Sequence, residues 1–90
     1  MFEWDEENIR HIARHGVTPE EAEQALWNDP TEAFEHEENG EQRFSQVGIT
    51  DAHRCLVVVT TWRGDLLRVV TAYSATRTDI KFYLERRRKQ

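Results

Sequence analysis

An α+β fold, with an antiparallel sheet of about four strands, two helices before it and one after it, is what this sequence predicts. Three observations predict it. Two helix starts with local capping signals lie before residue 28. From Thr31 to Tyr73 the apolar residues change from helical spacing to alternating or continuous runs, the mark of strands. A third capping signal at Thr76 then opens a last helical pattern. Helices gathered at the two ends of a run of strands pack onto one sheet.

Phe2-Glu3-Trp4 alternates apolar and polar residues and reads as a short strand. Asp5 follows as a helix N-cap with Asn8 at the third helical position, so a first helix is predicted from about Glu6 to His15. Ile9, Ile12 and Ala13 give it an apolar stripe, and Gly16 is placed to stop it in a left-handed turn. Val17-Thr18-Pro19-Glu20-Glu21-Ala22 is the sharpest local signal in the chain. Thr18 is the N-cap, Pro19 the first helical residue, Glu21 closes a capping box, and Val17 faces Ala22 as a hydrophobic staple. Ala22, Ala25 and Leu26 form the buried face of this second helix, and Asn28-Asp29-Pro30 ends it.

Thr31 to His36 reads as a strand, the residues around Asn39-Gly40 as a hairpin turn, and Arg43 to Ile49 as a half-buried strand. Thr50 to His53 turns the chain again. Cys55 to Trp62 is continuously apolar or β-branched, which predicts a central strand covered on both faces. Arg63-Gly64-Asp65 turns it back into a strand over Leu66 to Tyr73. In the last helix Ile80, Tyr83 and Leu84 are expected to share an inward face, with a basic, solvated tail at about 86–90.

Ninety residues with nine aromatics fit a single domain spanning 1–90 with one core. The lone Cys55 has no partner for an internal disulfide and reads as a small buried hydrophobe. The N-terminus has no basic region followed by an apolar core, and no stretch approaches the roughly 20 apolar residues of a membrane span. A soluble, cytoplasmic protein is the expectation. Charge is unevenly spread. Residues 1–62 carry 14 acids against 4 Arg and Lys, a net of −10, while residues 63–90 carry 3 against 8, a net of +5.

That basic end contains Arg68-Val69-Val70-Thr71-Ala72-Tyr73-Ser74-Ala75-Thr76-Arg77, a strand that runs into a helix start. Arg68 and Arg77, with Arg43, are the candidate anion-binding residues, because forked guanidiniums beside free helix amides suit phosphate. The alternative is that they pair with the surplus acids of the N-terminal half. Tyr73 and Tyr83 offer a hydroxyl or a stacking face, or else core packing. His11 and His15, four apart on the first helix, are chemically suited to general base catalysis. Their spacing also matches a metal-binding pair, but no second close pair accompanies them. No Gly-rich phosphate loop, nucleophile elbow, Cys-x-x-Cys pair or Walker-type lysine occurs, so neither a cofactor nor a metal is expected.

Several short motifs stand in a characteristic order: Phe2-Glu3-Trp4-Asp5, Arg14-His15-Gly16-Val17 with Glu20-Glu21-Ala22, Arg43-Phe44 with Gly48, Arg68-Val69-Val70-Thr71-Ala72, and Ala75-Thr76-Arg77 with Asp79 and Tyr83. Together they span essentially the whole chain. In them the chain resembles the BrnT-type toxins of bacterial type II toxin–antitoxin systems, within the RelE-like superfamily. The resemblance implies a RelE-like fold and a metal-independent endoribonuclease that cleaves RNA through attack of a 2′-hydroxyl. It also implies neutralisation by a small ribbon-helix-helix, DNA-binding antitoxin in a hetero-oligomer, with no membrane contact and no direct DNA binding by the toxin. Carried over by position, it points to Arg43, Arg68, Arg77 and Tyr83, joined by Tyr73 and His15, as site residues, with Arg68 and Arg77 clamping the phosphate. Two positions depart from the family's pattern. Tyr73 stands where arginine is common, and Glu6-Glu7-Asn8 stands where a lysine is often found. Both changes remove positive charge from a protein that must approach a polyanion. The rival expectation from another class is a non-catalytic binding module whose role is to hold its antitoxin.

Overall fold

The computed structural model describes residues 1–89 and is an α+β arrangement in which one five-stranded sheet carries helices on both faces. In chain order the elements are β1 (Phe2–Glu3), α1 (Glu6–Ala13), α2 (Pro19–Trp27), β2 (Thr31–Glu38), β3 (Glu41–Ile49), β4 (Cys55–Arg63), β5 (Leu66–Ser74) and α3 (Arg77–Arg88). The strands lie in the order β1-β5-β4-β3-β2. Four of them form the expected antiparallel meander. The fifth, β1, adds to the edge of β5 in parallel, so the sheet is mixed rather than wholly antiparallel.

Local chemistry explains the boundaries. Each helix opens with a complete capping box: Asp5 with Asn8, Thr18 with Glu21, and Thr76 with Asp79. Each box satisfies backbone N–H groups that the first helical turn leaves without partners. α1 stops at Ala13, two residues before the predicted end, and Gly16 sits at φ +69° in the left-handed turn that follows. The hairpin between β2 and β3 places Asn39 and Gly40 at φ +54° and +78°, the positive angles that a tight turn of right-handed twist demands.

β4 is the centre of the molecule, with Leu56, Val57, Val58 and Val59 all buried. Leu56 and Val58 face the first side, where Ile12, Val17, Ala22 and Ala25 from the α1–α2 region meet Val69 and Ala72 of β5. Val57 faces the second side, against Val47 of β3 and Tyr83 of α3. Cys55 is half-buried there rather than fully enclosed, and burial pushes its thiol above the ordinary value.

The last helix turns differently from the expectation. Tyr83 and Phe82 point inward, while Ile80 and Leu84 are 37% and 54% exposed and lie outward. Spacings of three and four residues group apolar side chains without saying which of them the sheet will select. The expected solvated tail is helical as far as Arg88. Arg87 donates to Asp29 at 2.8 Å and lies over the Tyr83 ring. Gln90, the end of that predicted tail, lies outside the described residues.

One irregularity sets the site. The pairing of β4 with β5 shifts between Val59 and Thr60: Val59 pairs with Thr71, but Thr60 pairs with Val69. Val70 is therefore an extra residue, a β-bulge. Because of it Arg68 and Thr71, three apart in sequence, project from the same face. Strict alternation would have opposed them.

Candidate active site

On its second face α3 packs over β2 and β3 and reaches Val57 of β4 through Tyr83. The register places Arg43, Arg63, Arg68, Thr71 and Tyr73 on that same face. β1 is only two residues long, so the edge of β5 beyond Val69 lacks a strand partner, and α1 lies along it instead. Asn8 makes that contact specific: its side-chain amide donates to Glu3 O at 3.0 Å and Val69 O at 3.1 Å. A buried edge carbonyl is thereby satisfied. Asn8 and Ile12 turn into the protein, which leaves His11 and His15 turned toward the open face.

The result is a hollow of about 400 Å³ bounded by Glu41, Arg43, Arg63, Arg68, Val70 and Thr71 of the sheet and by Glu7, Asn8 and His11 of α1. Beyond it along β5 the aromatic rings continue in a row. The His11 and His15 ring centroids are 5.8 Å apart, and the His15 ring meets the Tyr73 ring edge-on at 6.1 Å. All three side chains reach solvent, Tyr73 being 37% exposed.

The guanidiniums are not free. Arg68 is only 4% exposed, and it donates to Asp5 at 2.9 and 3.2 Å, to Glu3 at 3.1 Å and to Glu7 at 3.2 Å. Hydrogen bonds from Arg68, and then from the Asn8 backbone, hold the Asp5 carboxyl below its ordinary value, and Asp5 first, then Glu3, push Arg68 higher still. Arg43 is held by Glu38 at 3.1 Å and Glu41 at 3.2 Å. Arg63 bridges more loosely, to Glu41 at 3.6 Å and Glu3 at 3.7 Å. A continuous chain of ion pairs thus joins all five strands and the start of α1. It contains five carboxylates and three guanidiniums, a net of −2.

Of the six residues singled out from sequence, Arg43 and Arg68 share the hollow, and His15 and Tyr73 share the adjoining row. Arg77 and Tyr83 are brought to neither. Arg77 begins α3 beyond the far end of β5, roughly 20 Å of strand away from Arg68 at about 3.3 Å per residue. It lines a separate shallow groove with Ile80 and Leu84. It has no ion-pair partner among the described residues. An Arg68–Arg77 clamp on one phosphate does not form. Tyr83 is 7% exposed and belongs to the core with Val47 and Val57.

Arg63 is the site residue that the sequence reading passed over. Its one signal was that Thr61, Arg63 and Arg68 flank a Gly-Asp hairpin at positions that antiparallel pairing puts on one face. Among the described residues no group of three or more His, Cys, Asp or Glu is arranged to hold a metal ion, and no helix is long and apolar enough to cross a membrane.

A search of curated proteins gives no match to this chain. The family described as "Ribonuclease toxin, BrnT, of type II toxin-antitoxin system" matches residues 4–79. That segment runs from Trp4 to the capping box of α3 and contains the hollow and the whole ring row, leaving residues 1–3 and the body of α3 outside. The motifs, the α+β architecture and this match agree: the chain belongs to the BrnT family of ribonuclease toxins, whose systems pair an RNA-directed toxin with an antitoxin protein.

Proposed function

We propose that this toxin cleaves RNA without a metal at the row His11–His15–Tyr73, with the neighbouring hollow receiving the RNA backbone. The observation that carries the reading is the approach of two imidazoles and a phenol on one open face beside three guanidiniums. Such a set supplies each group the reaction needs. One neutral imidazole takes the proton of a ribose 2′-hydroxyl, and the freed oxygen attacks the adjacent phosphorus. The bond from phosphorus to the 5′-oxygen breaks, and the second imidazole, protonated, gives its proton to that leaving oxygen. The products are a 2′,3′-cyclic phosphate and a 5′-hydroxyl. Exchange with water resets both imidazoles.

Tyr73 donates a hydrogen bond to the charged phosphorane oxygens, and Arg68, held by Glu3, Asp5 and Glu7, ties the start of α1 to β5. Its four short bonds to carboxylates leave no room for Arg68 to bind a phosphate tightly. Arg43 and the more loosely held Arg63 take a neighbouring phosphate instead. Arg77 lies beyond the row and holds a flanking phosphate rather than the reacting one. Tyr83 acts by packing.

In this reading the antitoxin is a ribbon-helix-helix DNA-binding protein that forms a hetero-oligomer with the toxin, and the RNA substrate places the work in the cytoplasm. The rival role, a non-catalytic module that only holds its antitoxin, draws support from the net negative charge around the hollow.

The test is cleavage of end-labelled RNA by purified protein in EDTA. His11→Ala and His15→Ala are each expected to slow cleavage by roughly 100-fold or more, with a bell-shaped pH–rate profile in the parent protein and a cyclic phosphate on the product. Cleavage at the parent rate in both histidine variants sinks the proposed site. Binding of the antitoxin with no cleavage by any form of the protein favours the module.

A further inference from the structure

Arg54 lies outside the hollow and takes no part in the chemistry proposed above. It nevertheless touches the chain next to both members of the His15–Tyr73 pair. It sits at the end of the turn before β4, where Thr50 Oγ1 accepts from its backbone N–H at 3.0 Å and its own carbonyl accepts from Thr50 N at 2.8 Å. From this fixed base its guanidinium reaches three segments. Nη1 donates to Gly16 O at 2.7 Å and to the two Glu21 carboxylate oxygens at 3.1 and 3.3 Å, and Nη2 donates to Ser74 Oγ at 2.9 Å. Gly16 follows His15, and Ser74 follows Tyr73.

We infer that Arg54 is a positioning residue that sets the spacing of His15 and Tyr73, and with it the geometry of the reacting row. Three physical points support this. α1 ends at Ala13, so His15 lies in the turn after the helix, where its N–H donates to Ile12 O at 3.0 Å and that of Gly16 to Ala13 O at 3.0 Å, and Arg54 adds the tie from this turn to β5. The same turn is fastened to α2, because Glu21 accepts from the Thr18 backbone at 3.0 Å while it receives Arg54. Finally, the bond to Ser74 ties this assembly to the end of β5, just past Tyr73. A half-exposed ion pair to Glu21 alone would contribute little. A planar fork that grips a carbonyl, a carboxylate and a hydroxyl at once fixes orientation, which a single ammonium does not do. Displacements of about 1 Å in a reacting group can cost on the order of 100-fold in rate.

The inference rests on the catalytic reading above, so its test uses one readout that does not depend on catalysis. Arg54→Ala, Arg54→Lys and Ser74→Ala are made in the full chain. The first readout is the His15 imidazole proton resonance, identified by its loss in His15→Gln and displaced by the Tyr73 ring current. In Arg54→Ala and Arg54→Lys it is expected to move to the position seen in Tyr73→Leu. The second readout is cleavage of labelled RNA in EDTA, where kcat is expected to fall at least 10-fold with KM unchanged.

An unmoved His15 resonance in the Arg54 variants overturns the inference. So does a raised KM with unchanged kcat, which would make Arg54 a substrate contact. If Arg54→Ala does not fold, Ser74→Ala, which removes only the tether to β5, decides by the same resonance. Parent-rate cleavage in the His11 and His15 variants would remove the catalytic reading, and the resonance would still say whether Arg54 holds the pair.

Discussion

Arg68 is a nearly buried cation whose stability depends on three carboxylates from a single short stretch, Glu3, Asp5 and Glu7. Removing it leaves those acids crowded, with only the looser Arg63 contact to Glu3 at 3.7 Å in its place, so Arg68→Ala is expected to lower unfolding free energy by about 2–3 kcal/mol, as for charge-assisted bonds at a part-buried site. Loss of activity in that variant would therefore mix folding with chemistry. Arg63, exposed and held at 3.6–3.7 Å, is the cleaner probe: Arg63→Ala is expected within about 0.5 kcal/mol of the parent by chemical denaturation.

The same cluster gives a pH dependence whose sign is fixed. The Asp5 carboxyl is held below its ordinary value of 3.8, first by the hydrogen bond from Arg68. A depressed carboxyl contributes stability above its unfolded value and loses it as pH falls through the folded one. Melting temperature should thus drop as pH is lowered below about 4. Asp5→Asn should flatten that part of the curve, and an unchanged acid slope in the variant would exclude Asp5 as its source.

At the level of the elements, close approach between α2 and β3 depends on Gly48. A Cβ there would run into the backbone carbonyl of Ala25, and backbone in a packed helix cannot step aside as a flexible side chain can. Gly48→Ala is expected to cost about 1–3 kcal/mol, the range for overpacking, measured as a lower denaturation midpoint. α3 offers a contrasting pair. Tyr83→Ala empties a core position and should cost about 3–5 kcal/mol, whereas Tyr83→Phe keeps the ring and should leave RNA cleavage unchanged. A catalytic loss in Tyr83→Phe without a stability loss would restore Tyr83 to the site.

The elements also show which information was local. The three capping boxes, the left-handed Gly16 and the Asn39-Gly40 turn were legible because each depends on residues within three or four positions of one another. The parallel pairing of β1 was not, since two residues carry no signal for their partner. Nor was the bulge at Val70, which makes Arg68 and Thr71 neighbours on one face, or the inward face of α3, which the sheet rather than the helix selects. For the site, the residue types were readable and their grouping was not. His15 meets Tyr73 across 58 positions of sequence, and Arg68 meets its acids across 61 to 65.

For the molecule as a whole, folding consumes part of the charge asymmetry of the sequence. Acids of the first 62 residues are brought onto the arginines of the last 28: Glu3, Asp5 and Glu7 on Arg68, Glu41 on Arg63, and Asp29 on Arg87. A protein of net charge −5 then has to recruit a polyanion with the cations that remain. Arg77 is one of them. Only three residues separate it from Tyr73, a span of at most about 13 Å, so RNA whose reacting phosphate lies at the row passes within reach of Arg77 one or two nucleotides on. Arg77→Gln is accordingly expected to raise KM several-fold at about 0.1 M salt with kcat unchanged. The dependence of log KM on log salt should become shallower by about 0.7, the contribution of one neutralised phosphate on a single strand. Equal salt slopes for parent and variant would mean that RNA leaves the row in another direction. A fall in kcat instead would return Arg77 to the reacting phosphate, against the distance that β5 puts between it and the hollow.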